Sequence, residues 1–147
     1  MKTTFHFLIV LLLIAGLYSC SKDKGPDGNN VYTQTYFAGI NGVKAIPTNS
    51  SPASGTFRGS FSSSNRTLSY TITYAGTNPT SGDVRQGTLT TEGSSQFALN
   101  NLTASPYTGS VVLSAAQEND LNAGLFWVKI ASLGFPNGEI RGQIVKQ

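Results

Sequence analysis

Apolar and polar residues alternate most cleanly over residues 67–74, where Leu68, Tyr70, Ile72 and Tyr74 fall on one face and Thr67, Ser69, Thr71 and Thr73 on the other. A period of two is the mark of a half-buried strand. Residues 54–61 repeat the pattern, with Phe57, Gly59 and Phe61 set against Arg58 and Ser60, and the polar stretch Ser63-Ser64-Asn65 joins the two segments. A hairpin of 54–61 and 66–74 is predicted. Further strands are predicted at 33–40, 87–91, 96–99, 109–113, 125–131 and 139–145, separated by turn chemistry at Asn41-Gly42, Glu92-Gly93, Ser105-Pro106 and Pro136-Asn137-Gly138. About eight short strands at this spacing predict an all-β fold, a single antiparallel β-sandwich of immunoglobulin-like or Greek-key type. One short helix is expected, because Ser114 and Gln117 have capping-box spacing, Glu118 and Asp120 sit near its start and Gly124 can close it.

The chain opens on a different pattern. Lys2 precedes an uninterrupted apolar run from Phe7 to Leu17, shorter than the ~20 residues a helix needs to span a bilayer, so residues 1–19 read as an export signal. Leu17-Tyr18-Ser19-Cys20 resembles the lipobox of bacterial lipoproteins, with Tyr18 where that family carries a small residue. The resemblance implies diacylation of the Cys20 sulfur before cleavage. More than one acyl chain, at about 0.8 kcal/mol per buried CH₂, gives stable membrane attachment. Residues 21–30 are polar, contain Gly and Pro and lack periodicity, so a flexible tether is expected over 20–31, ahead of a domain at 32–147. Lys22-Asp23 resembles the export signal of surface-directed bacterial lipoproteins.

Composition narrows the chemistry more than any motif does. Cys20 is the sole cysteine and His6, inside the signal, the sole histidine, so the processed domain has neither residue type. Ser-His-Asp and Cys-His nucleophiles and Cys/His zinc or copper sites therefore have no residues to build on. No Asp-rich loop offers calcium a site, and no metal or cofactor is expected. The net charge is +3 but the basic residues are scattered, which argues against a nucleic-acid surface.

Phe135-Pro136-Asn137-Gly138-Glu139-Ile140-Arg141-Gly142-Gln143-Ile144 resembles the closing Pro-x-Gly-Glu-Ile-Arg-Gly-Gln motif of the CHRD domain, found in chordin and in many microbial secreted proteins. Phe37 to Val43 with Pro47 resembles its opening strand and turn, Gly55 with Leu68-Ser69-Tyr70 its next strands, and Leu121 to Ile130 the helix end and strand before the closing motif. The resemblance spans nearly all of residues 32–147 and implies a β-sandwich. Microbial members carry a central His-x-His and a later His. Here residues 80–85 and Ala131 stand in those places, so no ligand role of those histidines transfers.

Within the motif, Glu139 and Arg141 are expected on one strand face, forming an ion pair or meeting neighbouring backbone, with Ile140 and Ile144 in the core and Pro136-Asn137-Gly138 as the turn that starts the strand. The expected role of Pro136, Gly138, Glu139, Ile140, Arg141, Gly142 and Gln143 is structural. A catalytic Glu139 would need a second acid facing it, from Asp83, Glu92, Glu118 or Asp120. Trp127 and Lys129 are expected opposite Phe126, Val128 and Ile130, placing the only Trp on a partly exposed face that could stack on a sugar or anchor a protein; burial under a loop is the alternative. The expectation is a non-enzymatic lipoprotein of the bacterial cell envelope, anchored at the outer membrane, with the periplasmic and the surface-exposed orientation both open. Its partners are the membrane, through its anchor, and an extracellular protein or glycan, with no nucleic acid. Carbohydrate binding through exposed aromatics and carboxylate-dependent hydrolysis are the alternatives.

Overall fold

The computed structural model describes residues 30–147; the expected export signal, Cys20 and nearly all of the tether lie outside the described residues. Nine strands and one helix follow in the order β1 (Thr33–Asn41), β2 (Ser54–Ser62), β3 (Thr67–Ala75), β4 (Pro79–Gln86), β5 (Ser94–Ala98), β6 (Tyr107–Val112), α1 (Ala115–Asn122), β7 (Phe126–Ser132), β8 (Phe135–Gln143) and β9 (Val145–Lys146). Every pairing is antiparallel.

Hydrogen bonding runs in one path, β5-β4-β7-β8-β1-β2-β3-β6, with β9 also on β1. β8 and β9 are one strand interrupted at Ile144: Asn41 opposite Arg141 and Phe37 opposite Val145 share a register. At the interruption Ile144 N–H donates instead to Phe126 O at 2.8 Å. The sheet curls, because Tyr70 on β3 and Phe97 on β5, near opposite ends of the path, bring their rings within 6.0 Å. The opposed walls are thus two parts of one sheet, and the apolar faces meet in a single core.

That core follows from the alternation. Phe57 and Phe61 of β2, Leu68 and Ile72 of β3, and Phe126, Val128 and Ile130 of β7 have no exposure, nor do Ile140 and Ile144. Helix α1 starts as its sequence dictates: Ser114 accepts from Gln117 N–H while the Gln117 side chain accepts from Ser114 N–H, and Gly124 takes a positive φ just past the end. Leu121, buried without exposure, ties the helix to the core.

Two segments depart from expectation. Residues 87–91, predicted as a strand, form a loop, and the strand lies just before it at Pro79–Gln86. The hairpin between β7 and β8 turns at Leu133-Gly134, not at Pro136-Asn137-Gly138. Ser132 pairs with Phe135 and Ile130 with Ile140, so Ala131 alone faces residues 136–139, a wide bulge inside β8.

Candidate functional site

The bulge re-aims Glu139. Gly138 takes φ +130, and a Cβ there would stand 2.9 Å from Lys129 Cδ, so only glycine lets the chain pass. Glu139 is 5% exposed. Ser51 Oγ donates to its Oε1 at 2.6 Å, Thr77 Oγ1 donates to its Oε2, and Ser132 supplies a further hydrogen bond. Asn49 Nδ2 donates to the Gly138 and Glu139 carbonyls at 3.3 and 3.0 Å. Burial pushes the carboxyl up, but the hydrogen bonds from Ser132, Ser51 and Thr77 outweigh it and hold the group below its ordinary range. The carboxylate is a fixed anion that ties residues 49–51, Thr77 and Ser132 to β8.

A cleft of about 550 Å³ opens beside it between Thr77, Asn78, Ser132 and Phe135. Glu139 is the sole acid lining it. Asp83 is held by Arg85 at 3.0 Å, Glu92 stands 3.9 Å from Arg85 and 3.6 Å from Lys129, Glu118 pairs with Arg66 at 3.4 Å, and Asp120 accepts from Gln86 Nε2 at 2.8 Å. None of these acids lines the cleft, so the second carboxylate that a catalytic Glu139 would need is not supplied there.

Arg141 does not pair with Glu139. Its guanidinium donates to the Thr88, Leu89 and Thr91 carbonyls and lies 3.7 Å from the centre of the Trp127 ring. Arg85 reaches the same ring at 5.7 Å and donates to the Glu92 and Gly93 carbonyls at 2.9 and 2.7 Å. Burial lowers the Arg141 pKa while the Glu92 charge opposes that, and a guanidinium stays cationic throughout. Two arginines thus strap the loop of residues 87–93 over the outer face of β4, β7 and β8. The expectation that Trp127 is exposed is overturned: the ring has no exposure, because this loop and the two guanidinium planes cover it. Lys129 is half-buried beside Glu92, so Trp127 and Lys129 do not form an open binding surface.

Pro136 is exposed in the bulge, whereas the motif residues after Glu139 serve the interior. Ile140 is in the core. A Cβ on Gly142 would come 2.5 Å from Gly39 O, so this glycine permits β8 to approach β1. Gln143 Nε2 donates to the Gly87 and Gly124 carbonyls, tying both ends of the region to the strand.

The outer face of β1, β2, β3 and β6 has no such cover. Its centre is Arg58, exposed, its guanidinium 5.2 Å from the Phe37 ring. A shallow depression of about 450 Å³ lies at Arg58, Ser60, Ser69, Thr71 and Thr108. The sequence carries a signal for this place that was not singled out: Arg58 is the one charged residue in these four strands.

No curated protein and no solved structure matches the chain. The profile of the CHRD domain matches residues 33–144, from the first residue of β1 to the core residue that ends the closing motif. With three quarters of its length under that match and its closing motif strapping the fold together, this chain belongs to the CHRD domain family.

Proposed function

We propose that the chain is a lipoprotein of the bacterial cell envelope, anchored through acyl groups on Cys20, whose CHRD domain has a non-catalytic binding or envelope-structural role outside the cytoplasm. The observation that carries this reading is the use made of the motif: the Glu139 carboxylate, the Arg141 guanidinium and Gln143 Nε2 form cross-links within the chain. Membership in a family of extracellular domains supports the same reading. The opposed walls of the curled sheet support a sandwich of immunoglobulin-like or Greek-key type. The chain enters the fold at Tyr32, whose hydroxyl donates to Glu118, whereas the Glu139 cleft lies past the other end of β1, roughly 30 Å away at ~3.3 Å per residue.

The test is fractionation of cells expressing the full chain. Native protein should sediment with the outer membrane and Cys20→Ala should appear in the soluble fraction. Membrane attachment unchanged by the substitution refutes the anchor.

A further inference from the structure

The half of the sheet that the loop leaves bare is built unlike an ordinary solvated face. β1, β2, β3 and β6 contain no Asp or Glu, and Arg58 is their sole charged residue. The outward positions are aligned across strands by the pairing. Thr35, Ser60, Ser69 and Ser110 form one row of hydroxyls across the four strands. The adjoining row is Phe37, Arg58, Thr71 and Thr108, with Val145 of β9 continuing it beside Phe37. The next row continues with Thr56 and Thr73, whose hydroxyls lie 2.7 Å apart.

Each row steps from strand to strand by ~4.8 Å, close to the rise of one residue in an extended 1,4-linked sugar chain. The guanidinium rests on an aromatic ring and has no hydrogen bond or ion pair with a described residue, so its planar fork of donors is open to a carboxylate or sulfate. The depression at this point is concave and framed by hydroxyls, which suit sugar hydroxyls as donors and acceptors. An acid-free face that carries the Arg58 guanidinium, with the Lys44 ammonium over Gly39 at the end of the third row, is complementary to an anionic ligand and to no cationic one.

We propose that this face binds an extended anionic glycan, with Arg58 on Phe37 taking the acidic group and the hydroxyl rows flanking it taking the sugar hydroxyls. The proposal rests on the binding role given above and names its ligand class.

The test is affinity electrophoresis of the detergent-solubilised full chain through gels holding polygalacturonate, dextran sulfate or neutral dextran. Both anionic polymers should retard it and dextran should not. Arg58→Ala should weaken retardation at least tenfold, Arg58→Lys should restore part of it, and Ser69→Val, which keeps the charge, should weaken it severalfold. Lys146→Ala, an exposed cation away from the depression, should leave it unchanged. Equal losses in Lys146→Ala and Arg58→Ala would mean diffuse charge attraction and overturn the proposal, as would retardation by dextran or by none of the polymers. Unchanged Trp127 emission in each variant certifies that it is folded. Failure here leaves the anchored, non-catalytic reading untouched, because fractionation of Cys20→Ala tests that independently.

Discussion

A buried carboxylate is costly unless every lone pair it turns inward finds a donor, and Glu139 meets that condition with hydroxyls rather than with a cation. The consequence is a pH dependence of known sign. Because its folded pKa is depressed, Glu139 contributes stability that is present above the ordinary carboxylate value, about 4.3, and is lost as pH falls through the folded value. Glu139→Gln removes the charge that these hydroxyls serve and should destabilise the chain by about 1–3 kcal/mol at pH 7. Urea denaturation at a series of pH values checks both points: the gap between native chain and variant should narrow in acid. A gap that stays constant from pH 7 to pH 3 would show that the ionised form is not what stabilises.

At the scale of elements, the joint between β8 and β1 depends on a glycine. Gly142→Ala places a Cβ against the Gly39 carbonyl, which is backbone and cannot swing aside, so the strands must separate. A loss of about 1–3 kcal/mol is expected from overpacking alone, read as a lower urea midpoint. A midpoint equal to that of the native chain would mean that β8 and β1 are not in close contact. Strands with clean alternation, such as β2, β3 and β7, were legible in the sequence, and so was the capped helix. β4 was not, because its outward Asp83 and Arg85 pair with each other and only Val84 is fully buried there, leaving no apolar period to read. The threonines at 88, 90 and 91 have strand propensity, but their segment is held as a loop by carbonyl contacts to Arg141 that lies 50 residues or more away. Pro136-Asn137-Gly138 has turn chemistry and is spent on a bulge instead. Trp127 was misplaced for the same reason as the loop: alternation tells which face a side chain takes, but not what later folds across that face.

At the scale of the whole molecule, one curled sheet presents two unlike outer surfaces. The half built on β4, β7 and β8 is sealed by a loop that two arginines strap over Trp127. The half built on β1, β2, β3 and β6 is open, low in charge and lined by hydroxyls around Arg58. The closing motif thus cross-links the fold, and the open surface lies on the other half. The most direct measurement is acrylamide quenching of the single tryptophan, which reports on the sealed half with no competing signal. Blue-shifted emission and weak quenching are predicted for the native chain, with a red shift and strong quenching in Arg141→Ala as the loop is released. Red-shifted, readily quenched emission from the native chain would contradict the sealed half and, with it, the structural role given to the motif.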